Sequence, residues 1–269
     1  MDPHLVAVVV GLLQGVFEWL PISSEGNIAI ALTALGTAPG LAVSYALFVH
    51  LGTALSATAY YRDEVRTALA SWSSLRGPSS AFDGEAATLS FVLLATAASS
   101  AVGLAALLVL DALVTELTGG AFVALIGALL VATGVLQRFA NERSLATRET
   151  PNALDALLVG GLQGLAILPG VSRSGTTTSA LLLRGHDGPA SFRLSFLLSI
   201  PAALIGGTVG VVRAGGVGVA PTAGLVALVV AAVVGYATID LLMRIVRRVA
   251  VWLLCVGLGV LAIVGGLLV

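Results

Sequence analysis

The sequence predicts an all-α polytopic membrane protein. About ten helical segments form two inverted repeats, each a re-entrant hairpin plus three transmembrane helices. Three observations predict this fold. The 269-residue chain is 58% hydrophobic, only 10% charged, and has a mean hydropathy of +1.04. Its apolar runs are continuous rather than alternating, which favours helices over a closed barrel, the other architecture that satisfies the backbone in lipid. One short pattern also occurs twice. Leu13-Gln14-Gly15 precedes Leu20-Pro21-Ile22-Ser23-Ser24-Glu25-Gly26, and Leu162-Gln163-Gly164 precedes Leu168-Pro169-Gly170-Val171-Ser172-Arg173-Ser174-Gly175.

Apolar segments lie at about 5–20, 26–37, 41–61, 86–110, 119–137, 153–168, 175–183, 191–213, 222–242 and 249–268. A full crossing needs roughly 20 apolar residues. The pairs 5–20 with 26–37 and 153–168 with 175–183 are short, and a Pro/Gly/Ser turn breaks each pair. They are expected to be hairpins that return to the side they entered. The remaining six segments are long enough to cross. Repeat one then covers about 5–137 and repeat two about 153–268, within a single membrane domain spanning 1–269. At an offset of 148, Leu20-Pro21 falls on Leu168-Pro169 and Phe48 on Phe196.

Charge placement sets the expected orientation. All thirteen basic residues are Arg, a composition that fits a GC-rich genome. Arg62, Arg66 and Arg76 lie in loop 62–85, and Arg138, Arg143 and Arg148 in loop 138–152. Arg184 and Arg193 lie in segment 184–193, and Arg244, Arg247 and Arg248 in loop 243–248. Loop 111–118 carries only Asp111 and Glu116, and loop 214–221 carries no charge. By the positive-inside rule the four arginine-bearing segments face the cytoplasm and both termini lie outside. Three crossings per half is an odd number, so the second half is inverted and the two hairpin tips meet within the bilayer.

The net charge of −1 implies no nucleic-acid partner. Cys255 stands alone in an apolar segment, which leaves neither a disulfide framework nor a cysteine metal site. The N-terminal residues lack the basic stretch of a cleaved signal peptide.

Ionisable groups at membrane depth are expensive and point to function. Glu18, Glu25 and Arg173 are such groups. The second tip, Ser172-Arg173-Ser174-Gly175-Thr176-Thr177-Thr178, offers hydroxyls, glycine-bordered backbone and an arginine fork that matches phosphate oxygens. The first tip supplies Gln14, Glu18, Ser23, Ser24, Glu25 and Asn27, with Gln14 and Glu18 on one helix face. Two carboxylates would repel a phosphate unless a proton or a cation intervenes, and Mg²⁺ or Ca²⁺ on carboxylate and phosphate oxygens resolves the conflict. Glu18 is the expected metal ligand or base and Glu25 the expected proton-handling group, with Asn27 placed to orient it. A Ser beside these groups is a candidate nucleophile. A simpler arrangement, a structural Glu18–Arg173 ion pair, stays open. His50, in Phe48-Val49-His50-Leu51-Gly52-Thr53, is either a hydrogen-bonded structural residue or a supporting member of the site. His4, His186 and the tryptophans Trp19, Trp72 and Trp252 carry no functional signal.

These segments resemble the two signature motifs of the undecaprenyl-diphosphate phosphatases of the bacitracin-resistance type. The resemblance rests on Gln14-x-x-x-Glu18, Pro21-Ile22-Ser23-Ser24-x-Gly26 and Pro169-Gly170-Val171-Ser172-Arg173-Ser174-Gly175. His50-Leu51-Gly52-Thr53 and Ser195-Phe196-Leu197-Leu198-Ser199-Ile200-Pro201 are similar to further family segments, so the likeness runs from about residue 5 to 210. It implies hydrolysis of a polyprenyl diphosphate lipid to the monophosphate at the outer face of the cell membrane, a divalent cation, and a homodimer. It implies an essential acid at Glu18, with Gln14 at a position that is Glu or Gln in the family and counted here with Glu18 as a metal ligand. It also implies a nucleophile at Ser24, a phosphate-binding arginine at Arg173, and phosphate contacts from Ser23, Ser172, Ser174, Gly175 and Thr177. The chain departs from the family pattern at Glu25-Gly26-Asn27, where the family often has Thr-Gly-His. A His-dependent scheme therefore falls to Glu25 or His50 here. Another membrane phosphatase signature needs a Lys, and this chain has none. A transporter or flippase for a polyprenyl phosphate is the competing reading, because inverted repeats with broken hairpins are transporter architecture.

Overall fold

The computed structural model describes residues 2–75, 77, 81–84, 86–117, 119–143, 148, 150–216, 220–246 and 248–268. Arg76 and Arg247, two of the arginines in the orientation pattern, lie outside the described residues. Helices joined by turns make up the described residues, with no β-strand among them.

The first hairpin is α1 (Pro3–Phe17) and α2 (Ser24–Ala34). Pro at the first position and the Asp2 side chain, which accepts from the His4 amide at 2.8 Å, start α1. The Leu20-Pro21 turn stops it. The next crossing is broken into α3 (Pro39–Phe48) and α4 (His50–Tyr60) at Val49. The chain then continues as α5 (Arg62–Ala70) and a 3-10 turn at Ser71–Ser74, inside what reads in sequence as a loop. Two long helices follow, α6 (Ala86–Glu116) and α7 (Gly119–Arg143). The second half repeats this order. Its hairpin is α8 (Ala153–Leu165) and α9 (Arg173–Leu183), followed by α10 (Gly188–Arg213), α11 (Pro221–Val246) and α12 (Val251–Leu268).

Among the described residues, six helices are long and apolar enough to cross a membrane, with α3 and α4 counted as one span. α1 and α8 are apolar but too short to do so. Packing follows the same pairs in each half. α1 lies on α11 as α8 lies on α6, α4 lies on α11 as α10 lies on α6, and α2 meets α3 as α9 meets α10. α7 packs against its counterpart α12, with backbones so close that a Cβ on Gly259 would fall 2.6 Å from the Gly127 carbonyl oxygen.

The predicted loop 111–118 is helical as far as Glu116. Its Asp111 pairs with Arg213, the last residue of α10, at 2.5 Å. The base of the second hairpin is closed by one carboxylate. Asp155 is fully buried, forms a capping box with Asn152, and meets Arg184 at 2.6 Å, His186 at 3.3 Å and Arg148 at 3.5 Å. The start of α8, the end of α9 and the following turn are thereby tied together, so His186 has a structural use. Trp19 is likewise structural: it is fully buried, donates to the Gly235 carbonyl at 3.0 Å and packs on Phe196.

Candidate active site

The two hairpin tips touch. Ser23, the N-cap of α2, has φ +60°, a left-handed conformation that non-glycine residues adopt only when their surroundings enforce it. In this pose its Oγ accepts from the Gly26 amide and, across the tips, from the Gly170 amide, each at 3.2 Å. A Cβ on Gly26 would lie 2.7 Å from the Gly170 nitrogen, so glycine is required for this approach. Ser172 caps α9 in the same way, accepting from Gly175 at 3.2 Å. Gly170, at φ +101°, is an extra residue in the second turn. The two caps therefore correspond at an offset of 149 rather than the 148 that aligns Leu20-Pro21 with Leu168-Pro169. In this register Ser24 and Arg173 are equivalent first residues of their helices. Both helices begin at the junction of the tips, so two positive helix ends converge on one spot.

Glu18 is the centre of the site. Its Oε1 accepts from Arg173 Nη2. Its Oε2 accepts from Gln14 Nε2 at 2.9 Å and from Ser24 Oγ at 3.0 Å, and lies 3.4 Å from His50 Nε2. Gln14 also donates to Thr53 Oγ1 at 3.2 Å. His50 stands at the break after Val49 and gives Nδ1–H to the Ala46 carbonyl at 2.8 Å, which aims Nε2 at Glu18. Arg173 donates from Nη1 to the Ser195 carbonyl at 3.4 Å, with its guanidinium 6.0 Å from the Phe196 ring centroid. Glu25 is buried beside Glu18, and its Oε1 has no hydrogen-bond partner.

Several predicted site residues do other work. Asn27 donates to the carbonyls of Ile22 at 2.8 Å and Ser23 at 2.9 Å, so it braces the turn rather than orienting Glu25. Ser23 Oγ joins the two tips as an acceptor, and its hydroxyl still lines the polar cavity as a donor. Thr177 bonds the Arg173 carbonyl at 2.8 Å and Ser195 Oγ at 2.7 Å, which supports Arg173 from behind. Gly175 packs tightly on α7, where a Cβ would lie 2.6 Å from Gln137 Nε2 and 3.0 Å from Thr133 Cγ2. Gln14 turns its amide N–H to Glu18, leaving only its buried, unpartnered Oε1 as a ligand atom. Sequence reasoning predicted α7 as a crossing but gave it no part in the site. Gln137 holds the first tip through the Pro21 carbonyl at 2.6 Å, and Thr133 holds the second through the Gly170 carbonyl at 3.3 Å. Two polar side chains in an otherwise apolar crossing were the available signal.

Two cavities adjoin at this point and share Glu18, Glu25, His50, Ala166 and Arg173. The smaller, about 20 Å³, is polar and is walled also by Ser23, Ser24, Ser172 and Ser174. The larger, about 210 Å³, runs between α6 and α10 along Leu104, Leu107, Ile205 and Val209. Leu104 is 66% exposed and Ile205 44%, so the cavity reaches the apolar flank of the bundle. The first space is lined by polar and charged groups and the second by apolar side chains.

The fold and the site define a polytopic α-helical membrane protein whose two hairpin tips meet at a buried cluster of charged and polar side chains. The chain belongs to the family described as bacitracin resistance protein BacA, whose profile matches residues 7–264. It is similar to proteins named undecaprenyl-diphosphatase in archaea. The relative from Haloarcula marismortui is 58% identical over 271 residues, covering 100% of this chain and 99% of its own length. That from Methanococcoides burtonii is 39% identical, covering 96% of each. That from Saccharolobus solfataricus is 35% identical, covering 100% of this chain and 97% of its own.

Proposed function

We propose that this chain is an integral-membrane phosphatase. It hydrolyses a polyprenyl, undecaprenyl-like diphosphate to the lipid monophosphate and inorganic phosphate, and so recycles a glycan lipid carrier. The observation that carries the reading is the Ser24 Oγ–Glu18 Oε2 contact of 3.0 Å, with Arg173 on the other oxygen of the same carboxylate. Ser24 attacks the terminal phosphorus, its proton passes to Glu18, and the lipid phosphate departs. Its second pKa of about 6 lets it leave without a strong general acid. Water then releases phosphate from Ser24. Arg173 and the two helix ends stabilise the charge on the transferring group. A transporter needs the anion site but not a hydroxyl placed on a base, so this contact favours hydrolysis over transport.

A divalent cation fits the oxygen atoms present. Among the described residues, no cluster of three or more His, Cys, Asp or Glu is placed to hold a metal, so a cation here takes part of its shell from phosphate oxygens. Of the two carboxylates, Glu25 has the uncommitted oxygen, whereas both oxygens of Glu18 already accept hydrogen bonds. We therefore assign a metal-holding part to Glu25 beside the Glu18 and Gln14 expected from the sequence. Bound Mg²⁺ or Ca²⁺ would neutralise the diphosphate charge and relieve its repulsion by the carboxylates. Purified protein in detergent, where no membrane exists to transport across, is expected to release phosphate from C15 and C55 prenyl diphosphates and to stop in excess chelator. Glu25→Gln is expected to raise the cation concentration needed for half-maximal rate. Full activity in chelator overturns the cation, and absence of release overturns the phosphatase.

The arginine pattern supports a plasma-membrane protein in inverted topology, with both termini and the substrate side outside. In a Cys255→Ser background, a cysteine at Gly216 is expected to label from outside intact cells and one at Ser73 to be protected. The reverse pattern sinks this orientation.

A further inference from the structure

Gln163 is the counterpart of Gln14 at the offset of 149 that relates the two helix caps. The two amides have different surroundings. Gln14 is committed to Glu18 and Thr53. Four residues after Gln163 the chain carries Ile167 where the first half has Glu18, so no carboxylate takes the second amide. Gln163 is 5% exposed; its Nε2 donates to Ser99 Oγ at 3.2 Å, and its Oε1 is buried without a partner. The Ser99 hydroxyl in turn goes to the Thr96 carbonyl at 3.0 Å. A polar pair is thus kept at membrane depth with one valence unfilled, an arrangement that costs stability unless something else uses it.

Gln163 and Ser99 line the larger cavity, whose polar end is Glu18, Glu25, His50 and Arg173. Ser99 also begins its apolar wall. Gly103, Leu104 and Leu107 follow on α6 and line the same space, one and two turns further along, roughly 6 and 12 Å by helical rise. A lipid diphosphate with its terminal phosphate on Arg173 and its chain along Leu104 and Leu107 therefore passes Ser99 and Gln163 with the phosphate nearest the lipid. Half a turn of the amide, with the Ser99 hydroxyl swung from the Thr96 carbonyl, which keeps the Ser100 hydroxyl at 2.8 Å, would then satisfy the pair. Oε1 would accept from the Ser99 hydroxyl, and both Nε2 hydrogens would face phosphate oxygens.

We propose that Gln163, steadied by Ser99, binds the lipid-side phosphate of the diphosphate, leaving the terminal phosphate to Arg173. The inference rests on the phosphatase reading above and assigns a recognition residue to that site. The test is titration in detergent of two probes. Farnesyl monophosphate is added in saturating inorganic phosphate, which occupies the Arg173 side, and inorganic phosphate is titrated alone. Gln163→Leu keeps the volume and loses the amide. It is expected to weaken farnesyl monophosphate by about 10- to 100-fold, the worth of a hydrogen bond to a charged group, and to raise KM for farnesyl diphosphate in step. Inorganic phosphate is expected to bind as in the parent. Ser99→Ala, which leaves Gln163 in place, is expected to give a smaller loss in the same direction. Unchanged monophosphate affinity in Gln163→Leu overturns the assignment. So does equal weakening of both probes, which would signal general distortion. Failure of the parent to cleave farnesyl diphosphate would instead remove the phosphatase reading, and the monophosphate titration would still decide the role of Gln163.

Discussion

Glu18→Gln is expected to lower kcat by about 1,000-fold while inorganic phosphate binds at least as tightly as in the parent. Glu18 accepts from Ser24, Gln14 and Arg173, with His50 a further 3.4 Å neighbour. Glutamine supplies one oxygen and one NH₂ in place of two oxygens. If the NH₂ faces Ser24 and Gln14, donors meet donors and the serine loses its base. If it faces Arg173, the guanidinium loses its partner. Either way the proton from Ser24 has no acceptor of suitable basicity. Phosphate binding moves in the opposite direction, because the carboxylate competes with phosphate for Arg173 and the amide does not. Steady-state kinetics on a prenyl diphosphate and a phosphate titration read the two effects separately. Turnover within 10-fold of the parent would remove Glu18 from the chemistry, and weakened phosphate binding would mean that it serves chiefly to hold Arg173 in place.

The fold was legible because lipid allows few solutions. Six apolar runs of crossing length and two interrupted short pairs leave little freedom, and the helices fall where the runs do. The break at Val49 was not legible, since neither Pro nor Gly marks it. It is nevertheless what brings His50 to Glu18, a contact made across a sequence separation that periodicity does not report. The residue types at the tips were legible, but their division of labour was not. Ser23, Ser24, Ser172 and Thr177 are alike on paper. Only the left-handed turn at Ser23 and the extra Gly170 decide that Ser24 faces the carboxylate while Ser23 joins the tips and Thr177 props Arg173. Gln163 illustrates the same point, because an identical amide does one job beside Glu18 and is free for another beside Ile167.

Arg173→Lys is expected to cost about 10-fold or more in kcat/KM, and Arg173→Ala about 1,000-fold. The arginine is the first residue of α9, where the Ser172 cap and the Thr177 hydroxyl fix its backbone. Its guanidinium spans from the Ser195 carbonyl to Glu18 over the Phe196 ring. Those contacts occupy part of a five-donor fork and leave other N–H groups for two phosphate oxygens at once. Lysine carries the same charge as a single point. It can meet Glu18 or the phosphate, but it cannot bridge Ser195, Glu18 and substrate together. Alanine leaves the phosphate facing two carboxylates with no fixed positive charge beside it. It also leaves Glu18 without its ion pair, so thermal unfolding of the variant must be measured beside its kinetics. With folding intact, the ordering parent, Lys, Ala should hold for kcat/KM and for inorganic phosphate affinity alike. Near-parental rates in Arg173→Lys would reduce the residue to a point charge. Phosphate affinity unchanged in Arg173→Ala would show that the anion is held by the helix ends and hydroxyls alone.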